Sequence, residues 1–322
     1  MTTVTLPDQT LAAMNEALVN NYQDERRGYI GASGIGTACE RRLWNQFHCI
    51  DNERMSSKSI KAIEDGHHSE GVMINRLRMV NGVELQTEDS DGRQFSFKDG
   101  HLGGSLDGII LGTAHEPDDP HIWEHKCINE KKFNALVKLV VNDEPTALFN
   151  WDEQYYAQAQ VYMLYFKFKW HYLTACMPGS RDEISCITAF NAEAAGFYKE
   201  RAIRVINSAR PPPRISENAA WFQCKMCPFT DNCHGNKLPL TNCRTCVHST
   251  SNMDGTWTCE LFATKITDDV QRSGCGKHLY NPGLVPGKQT DAGSDWVEYK
   301  MKDGTLIRNE NAHIKTLPAA GG

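Results

Sequence analysis

Apolar positions recur along this chain at two spacings, and together they outline an alternation of helices and strands. Leu11, Met14 and Leu18 fall at helical spacing and predict a packing helix over residues 11–22. A second helix is predicted over 60–80, with Ile74 and Leu77 turned to the core and Glu70 on the same helix. Residues 95–101 alternate and then turn at Asp99-Gly100, a hairpin signal. Strands are predicted at 109–111 and 122–126, separated by a turn-rich acidic loop over 113–120. Helices at 131–141 and 152–168, strands at 169–176 and 183–190, and a closing helix at 192–209 follow. Pro211-Pro212-Pro213 ends that last helix. Beyond residue 283 the chain is turn-rich, read as a linker through Gly287-Lys288-Gln289-Thr290 and then a small hairpin over 296–308.

This pattern predicts an α/β fold with a mixed central sheet flanked by helices and a small C-terminal cysteine-rich module. The expected division is an N-terminal helix (1–30), a core (31–236), the cysteine-rich module (237–282) and a tail with its hairpin (283–322). Composition changes little: 322 residues with 40% hydrophobic and 23% charged side chains describe an ordinary globular protein. The net charge of -6 excludes attraction of the whole molecule to a polyanion, so any nucleic-acid contact must be local. No apolar run is long enough to span a bilayer, and Met1 to Gln9 does not read as a signal peptide, so a cytoplasmic location is expected.

Three short signals stand in order between Gly66 and Lys126. Gly66-x-x-x-Glu70 lies on the second helix, Gly104-x-x-Asp107 at the end of a strand, and Glu124-x-Lys126 within a strand. Residues two apart in a strand share a face, so Glu124 and Lys126 project together. Converging carboxylates beside an amine suit a hard cation such as Mg²⁺ or Mn²⁺, and phosphodiester hydrolysis. The tripeptide alone is uninformative. It recurs at Glu130-Lys131-Lys132 and Glu298-Tyr299-Lys300, both read as surface charge. In the 152–168 helix, Gln154, Gln158 and Tyr162 form one stripe, with Tyr155, Met163 and Tyr165 assigned to the core. Lys131, Lys132 and Lys138 read equally well as DNA-backbone contacts or as a solvated face.

The series Glu70, Asp107, Glu124-x-Lys126 and Gln158-x-x-x-Tyr162 resembles the PD-(D/E)XK nuclease superfamily, in its RecB-like and lambda-exonuclease-like branch, over roughly residues 30–235. The resemblance implies a metal-dependent DNA exonuclease of recombination, repair or phage DNA processing. Asp107, Glu124 and the backbone carbonyl of His125 would hold the cation, with Glu70 beside them. Lys126 would orient or activate water, and Gln158 and Tyr162 would position the strand. A catalytically inactive DNA-binding assembly factor on the same scaffold and a DNA endonuclease are the alternatives. DNA is the expected partner, with a recombinase, single-strand-binding protein or helicase beside it. No nucleotide motor is visible.

Twelve cysteines without an export signal point to metal rather than disulfides. Cys224-x-x-Cys227-x5-Cys233 supplies three soft ligands, which suit either zinc with a borrowed fourth ligand (His234 or Cys243) or an iron–sulfur cluster. The resemblance extends to AddB-type and CRISPR-associated nucleases, and it implies that Cys39 completes a four-iron, four-sulfur (4Fe–4S) cluster with these three. Glutamate at position 70 departs from the histidine common in such members, which leaves His67 and His68 ranked below Glu70. Cys243, Cys246, Cys259 and Cys275, with His278 as an alternative to Cys275, read as a zinc ribbon-like module, a second iron–sulfur cluster being the competing reading.

Overall fold

The structure is a computed structural model that describes residues 8–22, 27–52 and 55–317. Helix α1 (Gln9–Asn21) leads to a short strand β1 (Ile30–Gly31), helix α2 (Glu40–Phe47) and the long helix α3 (Ser57–Leu77). Strands β2 (Glu84–Gln86), β3 (Ser96–Asp99), β4 (Leu102–Ser105), β5 (Gly108–Leu111) and β6 (His121–Cys127) follow. Helices α4 (Glu130–Trp151) and α5 (Glu153–Phe166) then precede strands β7 (Trp170–Cys176) and β8 (Glu183–Ala189) and helix α6 (Ala192–Asn207).

The central sheet has the order β2-β5-β6-β7-β8. Strands β6 and β7 pair in parallel, and the other neighbours are antiparallel. A parallel pair needs a crossover, and α4 with α5 supplies it. Behind β6, Met73 of α3 clusters with Leu85, Ile110 and Trp123. In front, α5 is buried from Tyr156 to Met163, so it reads as apolar nearly all round rather than as one stripe. Small residues make that burial possible: Ala157 and Ala159 are fully enclosed. The mixed sheet flanked by helices is the α/β arrangement that the hydrophobic spacing predicts.

The rest of the chain wraps this core. Two short helices, α7 (Phe222–Lys225) and α8 (Thr230–Cys233), carry cysteines. A small antiparallel sheet follows, of β9 (Ser249–Ser251), β10 (Trp257–Cys259) and β11 (Thr264–Ile266), then helix α9 (Asp268–Gln271). The last sheet is a four-stranded meander, β12 (Gly287–Ala292), β13 (Trp296–Met301), β14 (Leu306–Glu310) and β15 (His313–Thr316). Trp257 and Ile266 of the small sheet belong to the main hydrophobic cluster with Trp44, Phe47 and Leu102, whereas the meander has its own cluster around Tyr299. Among the described residues no helix is long and apolar enough to cross a membrane. Residues 1–7 of the segment read against a signal peptide lie outside the described ones.

Several expectations need correction. Helix α1 forms, capped by Asp8, but buries none of its residues, with Leu11 and Met14 about half exposed. It rests against α3 through polar contact, Lys61 Nζ donating to Asn15 Oδ1 at 2.7 Å. Helix α4 runs past 141 to Trp151 as two segments. Asp143 leaves helical geometry, and Pro145 falls in the first turn of the second segment, where its missing N–H costs little. The presumed linker at Gly287-Lys288-Gln289-Thr290 is strand β12, and the terminal hairpin is a meander. The segment that holds this sheet to the cysteine region is explicit: Tyr280 N donates to Asn309 Oδ1 (2.7 Å) and Ala312 N to His278 O (2.9 Å).

One close approach shows how tightly the crossover is seated. A Cβ on Gly36 would stand 2.5 Å from Gln154 Cα and 2.7 Å from Glu153 O, both backbone atoms at the start of α5. Backbone cannot swing aside, so Gly36→Ala is expected to cost about 1–3 kcal/mol. Urea unfolding checks this: the midpoint should fall with the slope unchanged, and an unmoved midpoint would show that the contact yields freely.

Candidate metal-dependent active site

Strand register brings the carboxylates together. Gly108 lies opposite Trp123 in the antiparallel β5–β6 pair, so Asp107, one residue earlier, falls beside Glu124. Asp107 Oδ2 accepts a hydrogen bond from the backbone N of His125 at 3.0 Å, which fixes its orientation. Glu124 is 3% exposed, and its Oε1 accepts from Gln158 Nε2 at 2.9 Å and from Lys126 Nζ. The ammonium of Lys126 also stands 4.0 Å from Asp107 Oδ2. Glu124 Oε2 is buried and has no hydrogen-bond partner among the described residues.

The electrostatics follow from that enclosure. Burial, then the charge of Asp107, pushes the Glu124 carboxyl up to about 7, against the opposing pull of Lys126. Burial and the charge of Asp107 also raise Glu70, which sits half-buried on α3, while Lys126 and His67 lower it. For Lys126, burial disfavours the ammonium, but Glu124 and Asp107 overcome it, so its pKa stands above the usual lysine value. Three acidic side chains from α3, the start of β5 and β6 therefore share one electrostatic neighbourhood with one amine. His67 and His68 are exposed at its margin.

Helix α5 closes the front of the site. Gln158 Nε2 reaches Tyr162 Oη at 3.4 Å, and both side chains are buried. Tyr162 packs on β4, where a Cβ on Gly104 would stand 2.6 Å from its ring. Gly103 and Gly104 thus admit the rings of Tyr29 and Tyr162. Tyr155, which the spacing assigned to the core, is half-buried with Lys126 Nζ 5.6 Å and Lys132 Nζ 5.3 Å from its ring centroid. Its position three residues before Gln158 was the available signal. Lys132 pairs with Asp152 at 2.8 Å, whereas Lys131 and Lys138 are exposed. Glu298 bonds Arg308 and Thr290 in the meander, far along the chain from this chemistry.

Behind β6, Thr174 of β7 braces the strand. Its hydroxyl accepts from Trp123 Nε1 (3.0 Å) and lies 3.0 Å from His125 Nδ1. Burial holds His125 down at about 4, so its ring is a neutral strut while its backbone N serves Asp107.

The cysteines gather in two places. Cys39, Cys224, Cys227 and Cys233 line one cavity of about 680 Å³ together with Arg41, Arg42 and Arg214. Arg214 Nε donates to Cys233 Sγ at 3.3 Å, and its Nη2 donates to the Cys233 carbonyl at 2.6 Å. Cys39 is the residue preceding α2, remote in sequence from the other three. Cys243, Cys246, Cys259 and Cys275 line a second, small cavity with His248 and His278. No described cysteine forms a disulfide. Among the described residues no three His, Cys, Asp or Glu side chains stand close enough, as placed, to hold a single metal ion.

Comparison with known proteins gives three results. No curated protein matches the chain. Among solved structures, an alkaline exonuclease (LHK-Exo) from Laribacter hongkongensis is similar at 15% identity and a TM-score of 0.40, covering 59% of this chain and 90% of that one. The same exonuclease in complex with dAMP matches at 16% identity and a TM-score of 0.40, covering 56% of this chain and 87% of that one. SSO0001 matches at 14% identity and a TM-score of 0.37, covering 70% and 96%. Residues 21–166, the span holding Glu70, Asp107, Glu124, Lys126, Gln158 and Tyr162, match the family model of the YqaJ-like viral recombinase domain.

Proposed function

We propose that the protein is a divalent-metal-dependent DNA exonuclease working in recombination or phage DNA processing. The observation that carries this reading is the buried Glu124 carboxylate with an unpartnered Oε2 beside Asp107 and Lys126. A buried carboxylate with an unsatisfied oxygen is costly unless a cation answers it. The donor set is all oxygen, which suits Mg²⁺ or Mn²⁺. The similarity of residues 21–166 to a viral recombinase domain supports DNA as substrate and recombination as the setting.

In this reading Asp107, Glu124 and the His125 carbonyl would hold the ion, with Glu70 helping to place it. When bound, such an ion would supply Lewis-acid polarisation of the phosphate and activation of water. Lys126, kept charged by its neighbours, faces the growing negative charge on the phosphate and orients the attacking water. Gln158 fixes the Glu124 carboxylate, and Tyr162 fixes Gln158. Lys131 and Lys138 offer exposed charge to the DNA backbone. A recombinase, single-strand-binding protein or helicase would act beside it.

The cavity lined by Cys39, Cys224, Cys227 and Cys233 offers the four thiols that a 4Fe–4S cluster takes, and Arg214 donates to Cys233 Sγ there. Such a cluster would join the start of α2 to the segment after α6 and act as a structural clamp.

Cleavage of end-labelled DNA tests the catalytic reading. Lys126→Ala and Asp107→Asn are each expected to lower kcat by roughly 10²–10³-fold while the fold persists. Linear DNA should be degraded and covalently closed circles spared. Wild-type rates in these variants would remove the assigned roles, and equal cutting of circles would make the enzyme an endonuclease. For the cluster, anaerobically purified protein should carry iron and absorb broadly in the visible, and Cys224→Ser should lose both. Iron-free, colourless wild-type protein would dismiss the cluster while leaving the nuclease reading intact.

A further inference from the structure

The second group of cysteines takes no part in the proposed chemistry, yet it is built into the core. Cys243 opens a turn capped by Asn242 and Thr245, Cys246 bridges to Tyr280, and Cys259 ends β10. Cys275 comes from the turn after α9. All four line one cavity together with His248 and His278. Four thiols from three separated chain segments, brought to one cavity, form the donor set of a structural zinc site.

We propose that Cys243, Cys246, Cys259 and Cys275 bind one structural Zn²⁺, and that this ion locks Arg244 into the core. Cys243 Sγ donates to the Ser273 carbonyl at 3.3 Å, a weak contact that a bound ion would replace. His278 stands beside these thiols: it is 1% exposed, its Nε2 lies 3.1 Å from the Thr245 hydroxyl, which caps the Cys243 turn, and its Nδ1 is buried without a partner among the described residues.

Arg244, between the first two ligands, is 4% exposed. Its Nη1 donates to Phe47 O at 2.8 Å, its Nη2 to Gly28 O at 3.0 Å, and its Nε to Gln271 Oε1 at 3.1 Å. Its guanidinium stacks near Trp257 and Phe47, and its own carbonyl bonds His48 Nδ1. In these contacts carbonyl oxygens accept from its guanidinium, while Asp268 and the Cys49 side chain add to the stabilisation of its buried charge. Those carbonyls are aligned only while the Cys243 turn keeps its place. Because Phe47 ends α2 and Cys39 precedes it, that helix becomes a strut between the two cysteine sites.

The zinc site stands independently of the catalytic reading, and metal content tests it without an activity assay. Full-length protein, purified without chelator, should carry about one zinc per chain. Cys246→Ser with Cys259→Ser should remove it, and Cys186→Ala, which alters a buried cysteine on β8, should keep it. Zinc loss should also speed amide exchange at Phe47 to Ile50, a region that no zinc ligand occupies. If the double variant proves insoluble, chelator titration of the wild-type protein followed by hydrogen exchange reads the same coupling. Wild-type protein without zinc, zinc retained in the double variant, or iron in its place would overturn the site. Unchanged exchange at Phe47 to Ile50 after zinc removal would overturn the lock on Arg244.

Discussion

A carboxylate with almost no access to water, pressed against a second carboxylate, is the constraint on which the rest of this structure depends. Burial, then the charge of Asp107, drives the Glu124 carboxyl up to about 7. Lys126 offsets part of the repulsion and Gln158 another part, but Oε2 remains without a partner. The sheet is what imposes this arrangement. The β5–β6 register sets the two acids side by side, Thr174 and Trp123 brace β6 from behind, and α5 seals the front. The rigid strands hold this unfavourable charge pair in place, and on the proposed reading a cation would relieve it.

The second theme is how the cysteine-bearing segments support that core. Cys39 precedes α2 and Arg244 reaches its last residue, and the helix's Leu43, Trp44 and Phe47 are central to the hydrophobic cluster. Trp44 Nε1 donates to Ser208 O at 2.8 Å, tying the helix to the end of α6 as well. A short helix of eight residues has little stability of its own, so it depends on what holds its ends. The small β9–β11 sheet shares its Trp257 with the same cluster, and Arg244 crosses between them. The C-terminal meander, by contrast, buries its own Tyr299 cluster and joins through a few named hydrogen bonds.

Much of this was legible in the residues, for reasons that can be named. Strand alternation and the Asp99-Gly100 turn mark the β3–β4 hairpin, and the two-residue spacing of Glu124 and Lys126 fixes their shared face. Strand β12 was not legible because five of its six residues are exposed, four of them polar, leaving no alternation to read. The exposure of α1 escaped the sequence because amphipathic spacing says that a face is apolar, not that anything covers it. Tyr155 was hidden by a helix buried on nearly every side, where a periodicity cannot separate the face toward a site from the face toward the core. Arg244 was missed because a charged residue between two cysteines is ordinarily solvent-facing.

The most direct test is binding of Mn²⁺ to the protein without DNA, followed by calorimetry or paramagnetic resonance. The account predicts saturable uptake that weakens at least about tenfold in Glu124→Gln and is unchanged in Glu298→Gln. Equal affinity in the wild-type and Glu124→Gln proteins, or no uptake by either, would contradict a cation held at the buried carboxylates.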